Sequence, residues 1–360
     1  MCAASADEDT AGRRVVASGR EVFVHMMKKP VIAVIGAGMM GSSHARIVFE
    51  STEADLGLVV DSNADAAELL AQRYWARAST HLEDAMSADA VIVACSSAAH
   101  LECALPFIEA GVPTFVEKPI ALSLTDVDTL IDAASKHDVP IMCGFVERFN
   151  AAYRTAQEQL TQVPTHLITL RHSPPAPRIA SSVVADMLLH DLDVAVQLFA
   201  DQEPQVVGAA CDRPTGTEHY ETADCIIRFP TGLATLSTNR TTQRKVRFLN
   251  IHTAAESIEV DLLRQDVTVY RHVSQEMMSS EGLAGYRAST EVDIPFVRHR
   301  AEPLALQFEH FLQLAAGRTD HDVERNSIRL PHVLMEAVER GQAPASSSMA
   351  ATQSAVASEP

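Results

Sequence analysis

The stretch Val31-Ile-Ala-Val-Ile-Gly36-Ala-Gly38-Met-Met-Gly41 joins an apolar run, which predicts a buried strand, to the pattern G-x-G-x-x-G. In a dinucleotide-binding turn the first glycine allows the tight bend, the second lets a pyrophosphate approach the backbone, and the third lets the following helix pack closely. Gly36, Gly38 and Gly41 occupy these positions. Met39 and Met40 lie between them, at the predicted helix N-terminus, where free backbone amides face an anion.

Asp61 ends the next apolar run, residues 56–61, and stands 20 positions after Gly41. A carboxylate at this point accepts hydrogen bonds from an adenosine ribose and repels a 2′-phosphate. The spacing therefore predicts NAD as the cofactor, in preference to NADP. The alternative is that Asp61 only caps a helix that begins near Asn63.

The composition is that of a folded protein. The chain has 360 residues, of which 47% are hydrophobic, and a formal net charge of −18. This length allows two domains with real cores, and the acidity argues against nucleic acid or an anionic membrane as a partner. The apolar runs are shorter than the roughly 20 residues of a membrane span. Six cysteines without a C-x-x-C pair predict free thiols in a cytoplasmic protein and no metal site.

Strands and helices alternate in the first half of the chain. This alternation predicts a parallel sheet covered by helices on both faces, which is the architecture of a Rossmann domain. After Asn150 the pattern changes to closely spaced strands joined by turns, which predicts antiparallel pairing. The fold class is therefore α/β, with an N-terminal Rossmann domain and a C-terminal α+β domain that has a large, mainly antiparallel sheet.

The predicted boundaries follow from these changes in texture. The predicted segments are a disordered or wrongly assigned N-terminal extension at 1–28, a dinucleotide-binding domain at 29–148, a substrate and oligomerisation domain at 149–340, and a disordered tail at 341–360. The two ends contain too little bulky apolar sequence to pack.

Two further motifs carry polar chemistry. Glu117-Lys118-Pro119 follows a predicted strand at 114–116, on the edge where ligands of open α/β sheets bind. Asp186 and His190 stand four residues apart on a predicted helix at 184–199, so their side chains share one face. The alternative is an ordinary helix with a polar face, but the neighbouring residues are largely apolar, and a buried ionisable pair suggests a function.

The order of these motifs, together with Glu147-Arg148-Phe149-Asn150, resembles the glucose–fructose oxidoreductase / inositol dehydrogenase family over residues 29–339. The versions at 143–150 and 186–193 look like those of sugar-nucleotide 3-dehydrogenases. The resemblance implies an NAD-dependent enzyme that oxidises the 3-hydroxyl of a UDP-sugar. The ketone would then pass to a pyridoxal-phosphate aminotransferase.

The resemblance also implies roles for individual residues. Lys118, Asp186 and His190 would be catalytic and would contact the substrate, and Lys118 or His190 would take the hydroxyl proton. Cofactor contacts are implied for Ser96, His100, Glu117, Lys118 and Arg148, and substrate contacts for Arg148 and Asn150. Two positions depart from the family pattern: the turn at 95–100 lacks a proline, and Ala151 stands where a proline is usual.

Four arginines could hold a diphosphate, two of them at the ends of a proline-rich segment at 171–178 and two further along the chain. Arg suits bidentate phosphate contacts, and the candidates are Arg171, Arg178, Arg240 and Arg244.

Other functions stay open from the sequence alone. A free sugar, a sugar phosphate or an inositol could replace the sugar nucleotide. A silent NAD-binding subunit is a third hypothesis, although such a subunit would not need Lys118, Asp186 and His190. The large sheet predicts a homodimer or homotetramer.

Overall fold

The protein was analysed as a computed structural model, which describes residues 13–17, 20–24, 29–176, 179, 181–200, 202–214, 216–278, 284–297 and 301–341. Near the N-terminus, strands β1 (Arg13–Ala17) and β2 (Arg20–Val24) pair antiparallel. They fall within the extension expected at 1–28, whose remaining residues lie outside the described part.

A six-stranded parallel sheet forms the first half of the fold. Its strands are β3 (Val31–Ile35), β4 (Asp55–Val60), β5 (Arg77–Ser79), β6 (Ala90–Val93), β7 (Thr114–Val116) and β8 (Ile141–Cys143). The order is β5-β4-β3-β6-β7-β8, so the connection reverses direction between β3 and β6. Ligands of such sheets bind at this reversal, beyond the carboxyl ends of the strands.

Helices cover this sheet because its strands are buried on both faces. They are α1 (Met39–Glu50), α2 (Ala64–Arg73), α3 (His100–Glu109) and α4 (Leu124–His137). The sequence did not predict β5. This edge strand is three residues long and largely exposed, so it lacks the apolar run that identified its neighbours.

The second half contains an eight-stranded sheet in the order β10-β11-β12-β9-β13-β14-β15-β16. Its strands are β9 (His166–His172), β10 (Gln205–Asp212), β11 (Thr222–Phe229), β12 (Gly232–Asn239), β13 (Val246–His252), β14 (Ser257–Asp261), β15 (Asp266–Met278) and β16 (Ala284–Asp293). All pairs are antiparallel except β9 with β12. The fold class predicted from the sequence is confirmed, although β16 and the full length of β15 were missed.

The remaining helices are α5 (Ala151–Gln159), α6 (Leu189–Leu198), α7 (Pro303–Ala315) and α8 (His321–Glu339). Instead of the single helix expected at 184–199, a π-helical turn (Val184–Leu188) precedes α6. π-Helical turns are rare in proteins, and those that occur are often found at functional sites. No helix among the described residues has the length and apolar character needed to cross a membrane.

The two sheets share their hydrophobic core. One continuous cluster runs from residues of the first sheet through α6 and α8 to the inner face of the second sheet. Helix α7 packs its phenylalanines Phe308 and Phe311 into the other core cluster, beside Phe115 of β7. Helix α7 therefore packs on the first sheet, although it follows the second sheet in the chain. The division of the chain at residue 148 stays a prediction.

Candidate active site

The glycine turn between β3 and α1 has the geometry of a dinucleotide-binding loop. Gly36 has a φ of +103°, and a Cβ atom there would lie 2.6 Å from the backbone nitrogen of Cys95. A Cβ at Gly41 would lie 1.8 Å from the carbonyl oxygen of Gly36. By contrast, a Cβ at Gly38 would meet nothing within 4 Å, so the backbone there is open to a ligand.

This turn borders a cleft of about 760 Å³ between the ends of β3 and β6. Asp61 lines the cleft and its carboxylate holds the turn in place. Its Oδ2 accepts a hydrogen bond from the Ala37 amide (2.7 Å), and its Oδ1 accepts one from the Asn63 amide (2.8 Å). The cap of α2 is Asn63 itself, whose side chain accepts from Ala66. Each oxygen of Asp61 keeps a lone pair that could accept from a ribose hydroxyl.

The other predicted cofactor residues, apart from Arg148, line the same cleft or the cavity next to it. Met39 and Met40 line the cleft together with Ser96. They also line a second cavity of about 500 Å³, which contains His100, Glu117 and Lys118. The residues common to both spaces are Met39, Met40, Ala94 and Cys95.

Lys118, which follows β7, contacts the π-helical turn at the wall of this second cavity. The Lys118–Pro119 bond is cis. The lysine Nζ donates to the carbonyl oxygen of Asp186 (2.6 Å) and to its carboxylate Oδ1 (3.0 Å). Asp186 lies in the π-helical turn, and its other carboxylate oxygen is 3.5 Å from Nη1 of Arg240. The carboxylate of Asp186 therefore lies between two cations.

His190, one turn further along the chain, faces the same cavity. Its Nδ1 is buried and has no hydrogen-bond partner among the described residues. Burial, together with the positive charges of Lys118, Arg171 and Arg247, lowers the pKa of His190 well below its ordinary value. The imidazole is therefore neutral at physiological pH and keeps a free lone pair on one ring nitrogen.

Two buried histidines hold the segment that carries Lys118. His44 of α1 donates from Nε2 to the Glu117 carboxylate (2.7 Å). Burial favours the neutral form of Glu117, but the hydrogen bond and charge of His44 outweigh it and lower the Glu117 pKa. His100 donates from Nδ1 to the Pro119 carbonyl (2.8 Å), and burial lowers its pKa. His44 was not predicted from the sequence.

Arg171 and Arg240 border the cavity, but their guanidinium groups already have protein partners. Arg171 donates to Glu147 and Asp191 at 2.8 to 2.9 Å. Arg240 donates to Glu221 and to the Ser181 carbonyl. Both side chains are 1% exposed. Of the other predicted phosphate ligands, Arg178 lies outside the described residues, and Arg244 is exposed and does not line this cavity.

Arg148 and Asn150 lie away from the cavity lining, contrary to the ligand contacts predicted for them. Arg148 is buried and donates to Asp193 (2.6 Å) and Ser327 (2.8 Å). Asn150 caps α5 by accepting from the Ala152 amide, and it donates to the Leu262 carbonyl. Arg148 thus links α6, through Asp193, to α8, through Ser327. Asn150 links the start of α5 to the end of β14.

The cavity contains three further charged residues that were not predicted from the sequence, Glu147, Lys245 and Arg247. Glu147 is buried, and its carboxylate oxygen Oε1 lies 2.8 Å from Arg171 and 3.4 Å from Arg247. Lys245 and Arg247 lie on either side of Val246 at the start of β13. They belong to the same alternating set of positions as the buried Leu249 and Ile251. That alternation was the signal that could have placed them on the inner face.

Comparisons with known proteins agree with this architecture. Residues 31–145 match the profile of a family described as an oxidoreductase family with an NAD-binding Rossmann fold. The chain is 31% identical over 216 residues to a myo-inositol dehydrogenase of Streptomyces leeuwenhoekii, a match that covers 55% of this chain and 65% of the relative. The chain therefore matches slightly less than two thirds of that relative's length.

A UDP-N-acetylglucosamine 3-dehydrogenase of Acidithiobacillus ferrooxidans is 26% identical over 286 residues, covering 79% of this chain and 88% of the relative. A solved structure of the enzyme with that name, from the same organism, superimposes with a TM-score of 0.76 at 24% identity. It covers 87% of this chain and 97% of the solved chain. At that identity the superposition establishes the shared fold.

Proposed function

Because the chain belongs to the Gfo/Idh/MocA family of NAD-binding oxidoreductases, we propose that it oxidises a secondary alcohol of a sugar to a ketone. The observation that carries the proposal is the meeting of Lys118, Asp186 and His190 on one wall of a cavity. That cavity adjoins the cleft of the glycine turn, so an alcohol in it would lie beside a cofactor in the cleft.

The cleft fits NAD on the chain's own geometry. The open backbone at Gly38 and the amides at the start of α1 would hold the pyrophosphate, and Asp61 would accept from the adenosine ribose. When bound, NAD would supply the hydride acceptor. The protein then has to position the alcohol and remove its hydroxyl proton.

His190 and Lys118 are prepared for different parts of that task. The neutral His190 has a free lone pair and can accept the hydroxyl proton. Lys118, held by Asp186, would donate a hydrogen bond to the substrate oxygen or share the proton with His190.

The preferred substrate in this proposal is a UDP-sugar that is oxidised at its 3-hydroxyl. The named UDP-N-acetylglucosamine 3-dehydrogenase aligns over 88% of its length, against 65% for the inositol dehydrogenase, which supports this choice. The second candidate is an inositol or a free sugar, favoured by the 31% identity of the inositol enzyme. A silent NAD-binding subunit is disfavoured because all three reactive side chains are present and in reach of one another.

The test is a substrate panel. Purified protein and NAD would be mixed with UDP-hexoses, free sugars and inositols, and the absorbance of the reduced cofactor followed. An aminotransferase and an amino donor would be added in parallel, because removal of an unfavourable ketone should reveal weak turnover. Turnover of inositol alone would contradict the nucleotide-sugar assignment, and no turnover by a folded protein that binds NAD would contradict the enzymatic one.

Association through the large sheet into a homodimer or homotetramer, a cytoplasmic location and coupling to a pyridoxal-phosphate aminotransferase stay predictions. Size measurement in solution tests the first of these, since a monomer at micromolar concentration would contradict it.

A further inference from the structure

The start of β13 and the residue before it bring two cations into the cavity from the second sheet. Alternate residues of a strand share a face, and Leu249 and Ile251 are buried in the core on the inner face of β13. Lys245 and Arg247 continue the same alternation toward the N-terminal end of the strand. Both line the cavity that holds Lys118, Asp186 and His190.

Arg247 lies directly opposite another arginine. The antiparallel register of β13 and β9 pairs Arg247 with Arg171, and like charges in this position are unfavourable unless a counter-charge separates them. Glu147 supplies that counter-charge to both, at 2.8 Å from Arg171 and 3.4 Å from Arg247. Arg171 also forms an ion pair with Asp191. The carboxylates at this end of the cavity are therefore already engaged.

Positive charge is in local excess at this end. Three cations, Arg171, Lys245 and Arg247, face the two carboxylates Glu147 and Asp191. No described residue accepts a hydrogen bond from the ammonium of Lys245. The opposite end is compensated, since the partners of Lys118 and Arg240 there are Asp186 and Glu221, and Glu117 lies beside them.

The pKa values of Lys245 and Arg247 reflect the same excess of positive charge. The charge of Arg247, with burial and Arg171, lowers the pKa of Lys245. Burial and the charge of Arg171 lower the pKa of Arg247, although Glu147 and Asp191 oppose the shift. A bound anion would relieve this repulsion.

We propose that Lys245 and Arg247 form the subsite for a phosphate group of the substrate, so that the sugar oxidised here is a phosphate or diphosphate ester. This inference rests on the proposed function and assigns the residues that would hold the phosphate of its substrate. In a chain with a net charge of −18, an anionic substrate requires such locally placed cations. The arginine fork and the lysine ammonium are the side chains best suited to phosphate oxygens.

The assignment replaces the one expected from the sequence. The diphosphate was expected on the segment 171–178 and on Arg240, but Arg171 is paired with the buried Asp191 and Glu147, and the buried Arg240 is paired with Glu221. Removing Arg171 would leave an unpaired buried charge, and removing Arg240 would leave Glu221 without its cation, so those variants would report on folding more than on binding. Lys245 is exposed and has no such structural pairing, so its replacement should leave the fold intact.

The test uses the full chain saturated with NAD, so that the glycine turn cannot take the probe. Affinities for inorganic pyrophosphate and for UDP would be measured by calorimetry for the wild type, Lys245→Gln and Arg247→Gln. We expect each substitution to weaken both probes about 10-fold or more, because each removes a charge-assisted hydrogen bond. With a UDP-sugar substrate, KM should rise by a similar factor while kcat changes little.

Arg228→Gln is the matched control. This side chain is exposed on the outer face of β11 in the same sheet and does not line the cavity, so its loss should change probe affinity less than twofold. Equal effects of Arg228→Gln and Lys245→Gln would indicate only long-range attraction and would overturn the subsite. Pyrophosphate and UDP that fail to bind, or that bind Lys245→Gln as tightly as wild type, would overturn it as well.

The outcome separates the two proposals. If the variants weaken pyrophosphate and UDP but no alcohol is oxidised, the subsite stands and the proposed activity fails. If inositol is oxidised and the variants leave its KM unchanged while pyrophosphate does not bind, the activity stands and the subsite fails. Lys245-dependent binding of a sugar carboxylate, with none of pyrophosphate, would overturn the assignment to phosphate.

Discussion

One buried histidine should make the stability of this protein sensitive to acid. His332 of α8 donates from Nδ1 to the Ile328 carbonyl (2.8 Å), and its Nε2 accepts from the amide of Ile120 (3.1 Å). The ring is therefore neutral, and protonation would set a second N–H against the Ile120 amide. Burial lowers the pKa of His332 from 6.5 to about 4.

The sign follows from proton binding. Between about pH 4 and 6.5 the unfolded chain protonates His332 and the folded chain does not, so the free energy of unfolding falls as the pH falls through 6.5. At about 1.36 kcal/mol for each pKa unit, the loss relative to pH 7 is about 2 kcal/mol at pH 5 and about 3 kcal/mol at pH 4.

Urea unfolding of the wild type and His332→Gln at pH 7 and pH 5 measures this contribution. A glutamine oxygen can still accept from Ile120, so the variant should fold, but its stability should fall by about 2 kcal/mol less between the two pH values. His137→Gln, at an exposed position in the last turn of α4, should keep the wild-type loss. Equal losses in the wild type and His332→Gln would refute the reasoning.

Three further predictions test the cleft and the cavity. Lys118→Met should lower turnover by about 10²- to 10⁴-fold while the Kd for NAD, measured by fluorescence titration, stays constant; unchanged turnover would contradict a role in proton transfer. Asp61→Asn, which keeps an acceptor for the Ala37 amide, should shift the ratio of NADP to NAD affinity by about 10-fold toward NADP, and an unchanged ratio would exclude a ribose contact. Saturating NAD should slow alkylation of Cys103, which lines the cleft and whose thiol pKa is lowered by its hydrogen bond with Cys95. The buried Cys143 and Cys225 serve as internal controls in peptide mass spectrometry, because burial raises their pKa values, and labelling of Cys103 that NAD does not slow would place the cofactor elsewhere.

The parts of the fold that the sequence predicted are those with a strong local signal. The buried run before Gly36 and the spacing of the glycines predict β3, the turn after it and α1. The close packing at Gly41 leaves no room for a side chain. The apolar alternation in the second half indicated an antiparallel sheet. The edge strand β5 and the outer strand β16 were missed, since neither carries a long apolar run.

The candidate site was predictable in its residue types but not in its pairings. Lys118, Asp186 and His190 were identified by motif, and the structure brings them together. Arg171 pairs with Asp191 and Arg240 pairs with Glu221, and only the folded chain brings these residues together. A long-range ion pair leaves no trace in local spacing, so the sequence could not tell a ligand-binding arginine from a structural one.

The position of α7 has a consequence for the order of synthesis. Its phenylalanines Phe308 and Phe311 lie against the first sheet, yet they follow the whole of the second sheet in the chain. While the ribosome is still translating residues before Pro303, the apolar surface around Phe115 lacks the part of its cover that α7 provides, although every strand of the parallel sheet has already been synthesised. Nascent chains arrested before α7 should therefore be more sensitive to protease in the first sheet than chains arrested after it. The N-terminal half of the protein is made first but completed last.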